Sequence, residues 1–243
     1  MMALLTGQNE STIHKTCNPK RGYDNCDFIW REFQEQGYKT AYAEDTALNS
    51  TFNIKSPGFK VPPTDYYFRP MSLAIEKTFK KTTKNGISYC IGNRQYGEYV
   101  YEMGLRFAKR FRNRPYFGLF RTKSFSHGDY SLPATMDLKL LNYFKEMEIV
   151  GIFDHAIVFF FSDCGLLPSP LDKLPEGLLE ERLPTFFISI PKWFRGNYWN
   201  LVRKLEANCQ RLTSPYDIYM TMQHLLQIDL INSTMKQATG CLQ

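Results

Sequence analysis

Three short stretches carry side chains whose types suit joint chemistry: Ser162-Asp163-Cys164-Gly165, Ser126-His127 and Glu44-Asp45. The first follows six unbroken apolar residues, Ala156 to Phe161. It therefore stands at the carboxyl end of a strand, where open α/β sheets keep their sites. Asp163 there is a candidate metal ligand or substrate contact. Cys164 is a soft ligand or, given a base, a nucleophile. His127, at the end of a second predicted strand, is the base the sequence offers it, although nothing nearby supplies a third, orienting group. Each residue also has a plainer reading. Asp163 starts the turn after its strand, His127 lies in a polar surface turn, and Glu44 and Asp45 open a charged loop. His155 precedes the apolar run and reads as structural, while His14 and His224 have no metal-ligand neighbours.

The elements that must position these residues follow from periodicity and turn signals. Asp27 to Gln36 reads as a helix capped by Asp27, with Ile29, Trp30 and Phe33 on one face and Gly37 as its stop. Tyr38 to Ala43 is a strand, Phe59 to Pro70 a connecting loop, and Met71 to Phe79 a short helix. Tyr96 to Phe111 is a firm amphipathic helix. Pro115 to Phe120 is a strand, and Leu138 to Ile149 a helix with Leu138, Leu141, Phe144 and Met147 to Ile149 inward. Ala156 to Phe161 is expected in the middle of a parallel sheet, buried on both faces. Thr185 to Ile190 is a further strand, Tyr198 to Arg211 and Pro215 to Ile228 are helices, and residues 229–243 are expected as a frayed tail. Helices alternating with strands predict an α/β fold with a mixed, mostly parallel central sheet flanked by helices on both faces.

The bulk properties narrow the function. The chain has 243 residues, 43% of them hydrophobic, and a net charge of +6. This length accommodates one sizeable core, and residues 1–243 are read as one domain. Positive charge is dispersed apart from Lys77 to Lys84 and Lys109 to Arg114; the latter, at the end of a helix-like stretch, reads as a solvated face. With no zinc-finger spacing or RNA-binding signature, no nucleic-acid partner is expected. The longest apolar run, Ile149 to Phe161, is broken by Asp154 and His155, so no transmembrane segment is expected, and the opening residues do not form a signal peptide. Six cysteines are widely spread, with Cys17 and Cys26 placed to bridge each other or Cys90. Glycosylation sequons at Asn9, Asn49 and Asn232 hint weakly at secretion.

Several fragments recur here in a characteristic order. They are Leu4-Leu5-Thr6-Gly7, Phe28-Ile29-Trp30, Gly37-Tyr38-x-Thr40, Glu44-Asp45 and Pro63-Thr64-Asp65-Tyr66-Tyr67. Ser126-His127, Ser162-Asp163-x-Gly165, Glu180-Glu181-Arg182-Leu183-Pro184 and Arg211-Leu-Thr-Ser-Pro-Tyr-Asp217 follow. In this order they resemble the DUF229 family, a sulfatase-like branch of the alkaline-phosphatase-like superfamily, over roughly residues 3 to 228. The resemblance implies an alkaline-phosphatase-like core and an ancestral metal-dependent hydrolase acting on sulfate or phosphate esters. It implies Asp163, with Cys164, as the remnant of a metal-ligand pair, and His127 as a substrate-binding residue. It also places the protein in the secretory pathway or outside the cell.

The sequence departs from the family pattern in ways that shape the expected function. Cys164 stands where the family has His, and thiolate suits harder cations such as Mg²⁺, Ca²⁺ or Mn²⁺ poorly. Leu166-Leu167-Pro168 stands where an Arg usually follows. The family's first core strand, its acidic ligand and its nucleophile would precede Leu4, so the domain is expected to be partial and its core incomplete. The expected function is a sulfatase-like domain that is not catalytic as this chain. Its one ancestral divalent-ion site is expected to stand empty, and a partner is expected to cover an exposed sheet edge. The alternative is a sulfuric- or phosphoric-ester hydrolase completed by residues from outside this chain.

Overall fold

The fold is taken from a computed structural model, which describes residues 1–84, 87–127, 131–165 and 173–240. Helices α1 (Met2–Thr6), α2 (Glu10–Thr16) and α3 (Ile29–Glu35) lead into strand β1 (Lys39–Glu44). Strand β2 (Tyr66–Tyr67) and helix α4 (Arg69–Thr78) precede β3 (Lys81–Lys84), β4 (Ile87–Ile91) and β5 (Arg94–Gln95). Helix α5 (Tyr96–Phe111), strand β6 (Tyr116–Arg121), helices α6 (Asp137–Ile149) and α7 (Ile152–His155), and strand β7 (Val158–Phe161) follow. The chain finishes with α8 (Gly177–Arg182), β8 (Phe186–Ser189), α9 (Lys192–Asn197), α10 (Trp199–Asn208) and α11 (Pro215–Gly240). No helix among the described residues is long and apolar enough to cross a membrane.

The architecture is mixed α/β. A parallel sheet runs in the order β2-β1-β6, with Glu44 opposite Arg121 at its carboxyl edge. Thr40 and Asp65 lock β1 to the entrance of β2. The Thr40 N–H and hydroxyl donate to the Asp65 carboxylate at 2.9 and 3.0 Å, and the Asp65 N–H donates back to the Thr40 hydroxyl at 3.0 Å. Antiparallel β3-β4-β5 forms a hairpin sheet, and β7 pairs antiparallel with β8.

One face of the parallel sheet packs on an aromatic core. Phe28 and Trp30 stack with ring centres 4.3 Å apart, and Trp30 stacks on Tyr42 at 5.7 Å. Such pairs add about 0.5–1.5 kcal/mol each beyond burial. Leu4 and Leu5 of α1 and Met222 and Leu226 of α11 belong to the same cluster. Gly7 ends α1 with φ at +63°, and a Cβ there would stand 2.4 Å from the Tyr219 ring, so the turn needs glycine twice over. The buried Cys17–Cys26 disulfide joins this core, with Cα atoms 4.8 Å apart. The opposite face is covered by α5, whose Val100, Met103 and Phe107 are buried.

Four expectations need correction. The apolar run at 156–161 is not a doubly buried strand of a parallel sheet. Strand β7 pairs antiparallel with β8, and all four of its residues are only half-buried. Its phenylalanines are spent partly on contacts with neighbours such as Phe144 and Phe186. Asp27 does not cap α3; Phe28 holds the cap position and no side chain closes it. The expected inner face of α6 is largely open, with Leu138 66% and Ile149 83% exposed. Finally, α11 does not stop at Ile228, and the backbone of residues 229–240 continues as helix.

Candidate functional site

The carboxyl ends of β1, β6 and β7 converge on a polar cluster. From β1 come Glu44 and Asp45, both buried. Arg121 ends β6, and Lys123 and His127 lie in the segment after it. Asp163 and Cys164 follow β7.

Glu44 is the most heavily bonded of these. It accepts from Arg121 Nη1 at 2.7 Å, from the Thr51 hydroxyl at 2.8 Å and from the Thr51 N–H at 2.9 Å. The Tyr42 hydroxyl donates to it as well. A buried carboxylate with this many donors is satisfied without any ligand. Asp45 is equally enclosed. Its two oxygens take the backbone N–H groups of Lys123 and Ser124 at 2.9 and 3.0 Å, so it ties the loop after β1 to the segment after β6. Burial outweighs these donors and pushes its pKa up to about 6.

Arg121 bridges the strands, reaching Asp163 at 3.5 Å as well as Glu44. Burial would pull its guanidinium down, but Glu44 and then Asp163 outweigh that and raise its pKa. Lys123 is buried, donates its ammonium to the Asn49 carbonyl, and has its pKa lowered by burial. The sequence motifs did not single out Arg121. Its register opposite Glu44 is a contact between residues 77 positions apart, which local pattern does not show.

The three predicted site residues fare differently. Asp163 lies in the cluster, 23% exposed at its side chain, facing Arg121 and the Met1 amino group at 3.7 Å. Cys164 is exposed at the next position, its thiol 4.0 Å from the Asp163 carboxylate. Burial of the thiol and then the Asp163 charge raise its pKa, so the thiolate a nucleophile needs is disfavoured. His127 is half-buried, with Nδ1 3.3 Å from the Ser126 hydroxyl. Burial, then Arg121 and Lys123, lower its pKa, leaving a neutral imidazole at pH 7. Leu166-Leu167-Pro168 lies outside the described residues.

A divalent ion would need more donors than this. Among the described residues no group of three His, Cys, Asp or Glu side chains stands together to hold one. Asp163 and Cys164 supply two ligands of opposite softness, and the guanidinium beside Asp163 competes for its carboxylate. These residues alone do not fit a metal.

The remaining motif fragments prove to be fastenings. Ser162 exchanges hydrogen bonds with Thr185, its N–H donating to the Thr185 carbonyl at 2.9 Å and its hydroxyl accepting from the Thr185 N–H at 3.1 Å. The Gly165 N–H donates to the Glu181 carbonyl at 3.0 Å. Asp217 takes the Ser214 N–H and hydroxyl at 2.7 and 2.6 Å, closing the start of α11.

The model of DUF229, described as a protein of unknown function, matches residues 1–240. The chain belongs to the DUF229 family. No curated protein matches it. The DUF229 assignment leaves the activity open, so the reading of the site rests on its chemistry.

Proposed function

We propose that this DUF229 chain is a sulfatase-like domain that does not catalyse ester hydrolysis by itself. The observation that carries this reading is the engagement of Asp163. Arg121, anchored by Glu44, neutralises the carboxylate that the family resemblance assigns to a metal, and Cys164 is a poor second ligand. With its thiol pKa raised, Cys164 is also a poor nucleophile. The arrangement suits fastening three strand ends better than turning over a substrate.

The test uses purified protein with Mg²⁺, Ca²⁺, Mn²⁺ and Zn²⁺ in turn, read by equilibrium dialysis, together with hydrolysis of aryl sulfate and aryl phosphate. No saturable uptake and no turnover are expected, and Cys164→His alone restores neither. Stoichiometric uptake abolished by Asp163→Asn, accompanied by turnover, would overturn the reading.

A second reading, a metal-dependent hydrolase completed from outside the chain, is favoured by one feature. Strands β6 and β7 feed the same two apolar layers. Phe117, Leu119, Phe159 and Phe161 reach one, and Tyr116 and Val158 the other. Both strands end at the Arg121–Asp163 pair, yet among the described residues no ladder joins them. A further strand between them would satisfy two unpaired edges and deliver its own end to Asp163. Turnover by a longer polypeptide containing this chain, absent from the chain alone, would select this reading.

A further inference from the structure

The polar cluster is bordered by a turn that plays no part in the functional reading. Residues Ala47–Asn49 form a 3-10 turn after β1, and Asn49-Ser50-Thr51 is a glycosylation sequon. We propose that Asn49 carries an N-linked oligosaccharide acquired in an oxidising secretory compartment.

Two independent features support the modification. The first is the Cys17–Cys26 disulfide. Its cysteines are 7% and 2% exposed and pack with Leu4, Leu5 and Trp30, so the bond is part of the main core. A disulfide built into a core forms and persists where folding is oxidising, which is the compartment that glycosylates sequons. The second is the geometry at Asn49. Its N–H donates to the Thr46 carbonyl at 2.8 Å and its own carbonyl accepts from the Lys123 ammonium, so the backbone is held on both sides. Ser50 is buried and Thr51 is bonded to Glu44, yet Asn49 itself is exposed. An added sugar therefore meets solvent. Its neighbour Leu48 is 61% exposed, an apolar surface that a glycan would shield.

Asn9 offers a useful contrast. It too is exposed, but its side-chain oxygen caps α2, accepting from the Thr12 N–H at 2.9 Å and the Ser11 hydroxyl at 2.7 Å. Among the described residues, the Asn49 side chain caps no helix.

The transfer balances with one co-reactant, a lipid-diphosphate-linked oligosaccharide. Asn49 Nδ2 forms a bond to C1 of the reducing-end sugar. The bond from C1 to the diphosphate oxygen breaks, the lipid diphosphate leaves with the electron pair, and one Nδ2 proton passes to base. Because Lys123 binds the Asn49 carbonyl, the root of the glycan lies one residue from the polar cluster.

The test translates the full chain behind a cleavable leader in the presence of endoplasmic-reticulum microsomes, comparing wild type with Asn49→Gln and Asn9→Gln. Transfer acts on the nascent chain, so the readout does not depend on how well a variant folds; the exposure of Asn49 is what lets the finished fold keep the glycan. Asn49→Gln is expected to lose one mobility step sensitive to peptide N-glycosidase. Release in heavy-oxygen water is expected to leave labelled aspartate at position 49. An unchanged number of steps in Asn49→Gln, or an unlabelled peptide containing Asn49, overturns the proposal.

Discussion

Asp45→Asn separates two opposing influences on one carboxylate. Asp45 has no exposure; burial raises its pKa from 3.8 to about 6, against the pull of its Lys123 and Ser124 donors. A native pKa above the unfolded one means that the folded state binds the proton more tightly. The resulting stability is present in full below the unfolded value and is lost as pH rises through the native value. At 1.36 kcal/mol per pH unit, the loss across that interval is about 3 kcal/mol. Asparagine does not titrate. It keeps one acceptor oxygen but turns its amide toward the second backbone N–H, a cost of about 1–3 kcal/mol at every pH. The stability advantage of wild type over Asp45→Asn should therefore shrink by about 3 kcal/mol between about pH 3 and about pH 7. Urea unfolding followed by circular dichroism at a series of pH values measures it. A difference that is flat, or that grows with pH, would show that the backbone donors outweigh burial and would refute the reasoning.

Three further outcomes follow from the same structure. Glu44→Gln should cost about 3–5 kcal/mol in urea unfolding, because it removes the main partner of the mostly buried Arg121; a cost below about 1 kcal/mol would mean the pair behaves as an exposed one. Replacing Cys17 and Cys26 together by Ser should cost about 3 kcal/mol, the loop-closure entropy of a short crosslink, measured by unfolding with and without reductant. His127 should titrate below 6.5 by NMR, so its contribution to stability is held above the unfolded pKa and lost as pH falls; a midpoint above 6.5 would place a carboxylate, rather than burial and Arg121, in control.

The parts of the fold that are legible in the sequence are those whose signal is local. Helix α5 runs from Tyr96 to Phe111 as its periodicity predicts, and Glu98 takes the Gln95 N–H at 2.9 Å to start it. Strands β1 and β6 fall within a residue of their expected bounds. Legibility fails where a second segment decides. Six apolar residues at 156–161 show that the strand wants cover, but not which strand pairs with it or in which direction. The β3-β4-β5 hairpin escapes because Lys80, Lys81, Lys84 and Arg94 hide its pattern among charges. The spacing of Cys17, Cys26 and Cys90 leaves the pairing open until the fold brings the first two together. In the cluster, Asp163, Cys164 and His127 can be picked out by residue type. Arg121, which arranges Asp163 there, becomes visible only through the register of β6 on β1.

The packing of α1 against α11 has a consequence for synthesis. Leu4 and Leu5 share a core with Met222 and Leu226, and Tyr219 donates to Glu32 at 2.7 Å across 187 positions. Leu4 and Leu5 must wait for Met222 and Leu226, which are made more than two hundred residues later. At ribosomal speeds that wait is on the order of ten to forty seconds. Throughout it, Leu4, Leu5 and the adjoining face of α3 lack their C-terminal cover. The nascent chain thus presents an apolar surface until α11 is made, a natural hold for a chaperone. Completion of α11, more than any local element, releases that hold.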